Sequence, residues 1–287
     1  MRSDDHADAR RAQTLGLIAA AAIAGAAAVY LLLVGTAFGQ RLGDSVYHAR
    51  RLLAPAERDD IREVLMLLTP ATLLVGGVAI GAVALARRRV RLAVGVIVVV
   101  FGTAIIAEVL KAVLPRPSLG VDPPALAHNT APSGHASIAM AFVLAVIMVV
   151  PAQWRPAAAI GGFFAATFYA AGTLAAGWHR PADALMGELL ALAVATAVCA
   201  ILIARGGGVG MAADSWPTGR RRRAGLAIPV IIVLSALAAG LVSDVGSAAA
   251  WRFAAMSAAV DVLGLIVVLV LWRQLRDVDL GAPHRSP

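Results

Sequence analysis

The sequence predicts an all-α fold, a polytopic transmembrane helix bundle of about eight spans, six forming a core and two following at the C-terminal end. Three observations predict it. Apolar runs of about twenty residues recur along most of the chain, and a helix rising ~1.5 Å per residue needs that many to cross roughly 30 Å of hydrocarbon. The mean hydropathy is +0.81 over 287 residues, 60% of them hydrophobic. Arginines collect in the short segments between the runs, as membrane topology requires.

In order, the expected spans are residues 15–36, 64–86, 92–113, 134–151, 157–177, 182–204, 225–243 and 253–272. The runs do not alternate apolar and polar residues, so helices rather than barrel strands satisfy their backbone groups. Abundant Ala and Gly permit close helix approach. The head, Met1 to Gln13, lacks the apolar core and cleavage pattern of a removable leader, so the first run reads as a retained span. Segment 37–63 holds five arginines offset by Asp44, Glu57, Asp59, Asp60 and Glu63, and its Pro55 suits a short interfacial helix and turn. The arginine clusters Arg87 to Arg91 and Arg220 to Arg223 fall on one side if both termini are cytoplasmic, which orients the bundle. Three regions follow: a six-span domain over 1–204, a Gly/Arg-rich cytoplasmic linker over 205–224, and a two-span extension with its tail over 225–287.

The formal charge of +8 is accounted for by this topology and does not call for nucleic acid. The single cysteine, Cys199, excludes an intrachain disulfide and a paired-cysteine metal site. Trp178, Trp216, Trp251 and Trp272 read as interfacial anchors, and Glu188 and Asp261 as interhelical hydrogen-bonding groups inside the bundle.

Polar chemistry gathers at three helix ends on the predicted extracytoplasmic side. At the end of span three, Lys111 is the only lysine of the chain and Arg116 follows it closely. A compact ammonium suits a phosphoryl oxygen, although an interfacial lysine can also snorkel. Span four opens with Pro132-Ser133-Gly134-His135. A helix start presents unpaired N–H groups to an anion, Ser133 can cap the helix or donate to phosphate, Gly134 allows close approach, and His135 can give a proton. Span six opens with His179-Arg180-Pro181-Ala182-Asp183. Residues four apart share a helix face, so Asp183 can fix one nitrogen of His179 and leave the other as nucleophile; a purely structural His–Asp pair has the same spacing. Glu108, one turn before Lys111, is a candidate partner for it.

These segments resemble, in order, the three signatures of the type 2 phosphatidic acid phosphatase superfamily, which also includes vanadium-dependent haloperoxidases: K-x6-R-P, P-S-G-H and S-R-x5-H-x3-D. The resemblance covers roughly residues 60–204. It implies a six-helix core and a phosphohistidine mechanism with no metal or other cofactor. By the same resemblance His179 is the nucleophile, Asp183 its orienting acid and His135 the general acid, with Lys111, Ser133 and Gly134 as phosphate ligands. Two departures stand out. Arg116 is two residues early, Ser118 occupying the family position, and Gly172-Thr173 replaces Ser-Arg, which leaves Arg180 as the nearest substitute. The expected function is hydrolysis of a lipid phosphomonoester or diphosphate, such as a polyprenyl diphosphate or phosphatidic acid, at the extracytoplasmic face of the cell membrane. The alternatives are lipid phosphotransfer and a non-catalytic scaffold or transporter with a degenerate site. The partners expected are the bilayer and its lipid phosphate; oligomeric state is not legible.

Overall fold

The computed structural model describes residues 3–121, 128–210 and 248–280, and among them the fold is an all-α bundle with one small ribbon. The helices are α1 (Ser3–Val29, continued by a wider turn over Tyr30–Val34), α2 (Ala37–Ala49), α3 (Pro55–Leu65), α4 (Pro70–Ala86), α5 (Val90–Ile97), α6 (Thr103–Val113), α7 (Gly134–Val149), α8 (Arg155–Ala175), α9 (Pro181–Leu202) and α10 (Ala248–Leu275). The ribbon pairs β1 (Gly208–Gly210) antiparallel with β2 (Val278–Leu280). Among the described residues five helices are long and apolar enough to cross a membrane, or six if the bent pair α3 and α4 is one span; α5 and α6 form one rod, Val90–Val113. The chain is thus a multi-pass membrane protein. The seventh expected span, 225–243, lies outside the described residues, and the eighth falls within α10.

The centre is α7, flanked by α8 and α9. Met140, Leu144, Ile147 and Met148 on α7 are fully buried, while Leu31, Leu74, Val75, Ile105, Phe164 and Ile266 on the surrounding helices face outward. An apolar exterior is what hydrocarbon accepts without penalty, so burial here sorts helices by position rather than by polarity. α1 packs along α9, and α10 packs on α8, α9 and α2, joining the core through Val267, Val268 and Leu271. α7 has only 16 residues, about 24 Å at ~1.5 Å per residue. Being encased, it need not match the lipid thickness.

Span two differs from expectation at its start. The polar α3 is separate, and α4 begins at Pro70 with Thr69 as cap, its hydroxyl accepting from the Thr72 N–H at 3.1 Å. Proline has no N–H to lose in a first turn, so the break falls there, and the two helices bend by 49°. Segment 37–65 is therefore a helical pair, α2 and α3, lying beside the ends of α8 and α9.

At the opposite end of α7, arginines tie the helices to the C-terminal ribbon. Asp279 receives Arg89 at 2.5 Å and lies 3.6 Å from Arg87. Arg155, buried, donates to the Val278 carbonyl at 2.7 Å and the Ile147 carbonyl at 3.1 Å, and Arg11 pairs with Asp277 at 3.0 Å. Burial raises the Asp279 carboxyl, but the Arg89 hydrogen bond and the charges of Arg89, Arg87 and Arg155 outweigh it and hold it below the usual range. Gly208–Gly210 opens the segment read as a linker; residues 211–224 of that segment are outside the described residues.

Within the bundle, Glu188 and Asp261 interact electrostatically across α9 and α10. Both Glu188 carboxylate oxygens and Asp261 Oδ1 are buried without a hydrogen-bond partner among the described residues, unlike the interhelical bonding expected of them.

Candidate active site

Three local structures, each readable from its residues, bring the site together. α8 ends in a Schellman turn: the Gly177 N–H donates to the Leu174 carbonyl at 3.0 Å and the Trp178 N–H to the Thr173 carbonyl at 3.0 Å. Gly177 has a φ of +73°, the left-handed value such a turn needs and that glycine adopts without strain. The turn delivers His179 to the mouth of α9. There Pro181 takes the first helical position and the Asp183 carboxylate accepts the Arg180 N–H at 2.9 Å, satisfying one of the unpaired amides of the helix start. α7 opens with Ser133 as cap, its hydroxyl accepting the Ala136 N–H at 3.4 Å.

The two helix starts are bonded directly to each other. The Ser133 N–H donates to the Asp183 carbonyl at 2.8 Å, and the Thr130 hydroxyl donates to Asp183 Oδ2 at 2.6 Å. His179 Nδ1 lies 3.2 Å from the same Oδ2. Asp183 is 1% exposed, so this single oxygen serves Thr130, Arg180 and His179 away from water. Close crossing permits it: a Cβ on Gly187 would stand 2.8 Å from Ser137 Oγ and 3.0 Å from the Ser133 carbonyl oxygen.

His135, second residue of α7, lies with its ring centroid 5.2 Å from that of Trp178 and hydrogen-bonds the Leu65 carbonyl at the end of α3. It is within electrostatic range of both His179 and Lys111. Trp178, read as an interfacial anchor, thus packs on a site histidine. Lys111 donates to Glu108 at 2.7 Å, and this pair lies over the α7 start: a Cβ on Gly134 would be 3.1 Å from Glu108 Oε1 and 3.7 Å from Lys111 Nζ. Asn129 fastens α6 to the loop by donating to the Lys111 carbonyl at 3.2 Å and the Ala131 carbonyl at 2.9 Å.

Arg116 and Arg180 occupy a different place. They line one cleft with Leu33, Leu42 and Met256, on the α2 side of the α9 start. Arg180 is 5% exposed, packs on Gly43 and reaches Asp44 Oδ1 at 3.4 Å, so its charge is opposed by a carboxylate of α2. The structure brings His179, Asp183, Ser133, Gly134, His135 and Lys111 together around the starts of α7 and α9. It turns Arg180 toward α2.

Sequence reasoning missed Thr130 and Asn129, which hold the carboxylate and the loop; two polar residues separated only by Ala131 from Pro132-Ser133-Gly134-His135 were the available signal. It also missed the approach of α3, whose amphipathic polar sequence resembles any interfacial helix. Among the described residues no cluster of three or more His, Cys, Asp or Glu could hold a metal ion.

A buried carboxylate on one nitrogen of a histidine, with a second histidine, a lysine and a helix start beside it, can bind an oxyanion and exchange protons with it. The PAP2 superfamily model matches residues 88–206, a stretch that contains Lys111, Arg116, Ser133, Gly134, His135, His179, Arg180 and Asp183. No curated protein and no solved structure matches the chain. That superfamily generally comprises phosphatases, and together with the apolar helices it fits a membrane phosphatase. The match over residues 88–206 agrees with the resemblance to the type 2 phosphatidic acid phosphatase superfamily carried by the three sequence segments.

Proposed function

We propose that the protein is an integral membrane lipid phosphatase that hydrolyses a lipid phosphomonoester or diphosphate through a phosphohistidine. The observation that carries the proposal is the His179–Asp183 pair, bonded to the α7 start on which Ser133, Gly134 and His135 lie. With its Nδ1–H donated to Asp183, His179 holds a lone pair on Nε2. That lone pair attacks phosphorus, the N–P bond forms, and the bond from phosphorus to the lipid-side oxygen breaks. His135 gives that oxygen its proton, then takes one from water as the water displaces His179 and releases orthophosphate. Lys111 and the amides of the α7 start neutralise the phosphoryl oxygens as charge builds. No step needs a metal.

A site at helix ends suits a substrate whose tail remains in the bilayer. The arginine-rich end of the bundle, where Arg87, Arg89 and Arg155 meet the C-terminal ribbon, supports a cytoplasmic assignment by the positive-inside rule. The site, at the other end of α7, then faces the extracytoplasmic side, where polyprenyl diphosphates and phosphatidic acid present their headgroups.

Purified protein assayed on a panel of lipid phosphates tests this. Wild type should release orthophosphate from at least one, and His179→Ala should reduce that release by about 10⁴-fold or more. Equal release by the two proteins refutes the assignment; transfer of the phosphoryl group to an alcohol without orthophosphate would identify a phosphotransferase instead.

A further inference from the structure

The superfamily signature places Ser-Arg where this chain has Gly172-Thr173, and the structure shows what stands there instead. Thr173 is fully buried; its hydroxyl donates to the Ala170 carbonyl at 2.7 Å and its own carbonyl accepts the Trp178 N–H. Gly172 leaves a notch that α3 fills, since a Cβ there would stand 3.3 Å from Leu65 Cδ2 and 3.5 Å from Ile61 Cγ2. The same helix presents the Leu65 carbonyl to His135. Helix α3 thus occupies the space beside the His179 turn that a longer side chain at 172 would contest.

α3 and the turn before it bring arginines to that turn. Arg62 donates to the Ala176 carbonyl at 3.0 Å. Arg58 lies one turn earlier on the same face of α3. Arg50 lies against Gly177, where a Cβ would come within 2.5 Å of its Cδ and 3.1 Å of its Cζ, and its guanidinium sits 3.6 Å above the Tyr47 ring. Gly177 is therefore needed twice, for its φ and for the room it gives Arg50. Burial, and then the neighbouring charges of Arg51, Arg58 and Arg62, hold the Arg50 guanidinium below the ordinary arginine value despite an opposing contribution from Tyr47.

Few carboxylates are in contact with this group, although α3 also carries Glu57, Asp60 and Glu63. Among the described residues the one carboxylate paired with Arg50, Arg58 or Arg62 is Asp59, 2.8 Å from Arg62 and itself largely exposed. Nε of Arg58 and Nε of Arg62 are buried with no hydrogen-bond partner among the described residues. Guanidinium groups gathered at partial burial repel one another unless an anion joins them, and their forked donors match phosphoryl oxygens.

We propose that Arg50, Arg58 and Arg62 form a phosphate-binding cluster, delivered by α3 and the turn before it, that supplies the positive charge residue 173 lacks. This rests on reading the adjacent His179 site as one that handles a phosphoryl group. The cluster belongs to segment 37–65, outside the stretch matched by the superfamily, and makes α3 part of the substrate site rather than a passive cover.

The test uses the full chain in detergent micelles with inorganic phosphate as probe, its binding read by titration calorimetry. Each of Arg50→Gln, Arg58→Gln and Arg62→Gln should weaken binding by about tenfold, the usual effect of losing a charge-assisted hydrogen bond. Arg41→Gln, an exposed arginine of α2, serves as the control for net charge and should leave binding unchanged. A triple variant that stays folded and binds phosphate within about twofold of wild type overturns the proposal. A measurement on the wild type needs no variant: phosphate should protect Arg50, Arg58 and Arg62 from phenylglyoxal, read by mass spectrometry, and equal labelling with and without phosphate also overturns it. Lipid turnover is scored separately. Phosphate bound through these arginines, with no release from any lipid, supports the cluster and refutes the hydrolase reading.

Discussion

Replacing Asp183 by asparagine keeps the shape of the site while changing what one oxygen can do. In the native protein Oδ2 is the meeting point of the Thr130 hydroxyl at 2.6 Å, the Arg180 N–H at 2.9 Å and His179 Nδ1 at 3.2 Å. An asparagine has one acceptor oxygen. If that oxygen stays with Thr130 and Arg180, three groups still converge on it, and the added NH₂ turns a uniform acceptor into a mixed one. If the amide instead turns its nitrogen toward them, the Arg180 N–H loses its acceptor and His179 Nδ1 meets a donor. The imidazole then carries its proton on Nε2, the nitrogen proposed to attack. Loss of the correct tautomer at an otherwise intact histidine site costs about 10⁴-fold in turnover, and the lost charge-assisted bond at a residue 1% exposed costs about 1.5–3 kcal/mol of stability. Orthophosphate release under saturating lipid phosphate reads the first effect; thermal unfolding in the same detergent reads the second. Turnover within about tenfold of wild type, in a variant whose amide nitrogen is shown to face His179 Nδ1, would refute the view that Asp183 governs the His179 tautomer.

Further predictions concern the groups around this pair. His135→Gln should lower turnover by about 10²–10⁴-fold, as removal of a general acid does, and flatten the pH–rate profile; an unchanged profile would remove His135 from the proton path. Glu108→Gln should lower KM by about twofold to fivefold, because it frees Lys111 from its 2.7 Å partner in a pair too exposed to be worth more; a raised KM would mean that Glu108 positions Lys111 instead of competing for it. Asp279→Asn should lower Tm at neutral pH. The native carboxyl titrates below its unfolded value, so its contribution is complete above about pH 4, where the unfolded carboxylate is ionised, and fades as pH falls through the lower folded value. Wild type and variant should accordingly converge in Tm under acid, and a gap that persists there would contradict the electrostatic account.

Much of the molecule was legible from local sequence. Run length against hydrocarbon thickness dictated helices, and Pro181 and Ser133 mark where two of them start by chemistry that needs no distant partner. The His179–Asp183 contact follows from a four-residue spacing on one helix face, and the Lys111–Glu108 pair from a three-residue one. For the same reason the sequence misjudged the start of span two: hydropathy runs smoothly from Val64 into α4, and only the Thr69–Pro70 cap interrupts it.

The sequence by itself therefore determined a helical membrane protein with candidate site residues at helix ends, because hydropathy, caps and helical spacing are properties of neighbours along the chain. Tertiary structure decided which helix end meets which. It bonded Ser133 and Thr130 to Asp183 across about fifty residues, drew Arg180 to Asp44 on α2, and laid α3 in the notch at Gly172 with its arginines beside the His179 turn. None of these is encoded in a period or a motif. They depend on which small residues let two backbones approach and on where a charge finds its counter-charge in three dimensions. Residue 173 carries no arginine, and the fold brings Arg62 and Arg50 beside the turn that follows it, at Ala176 and Gly177.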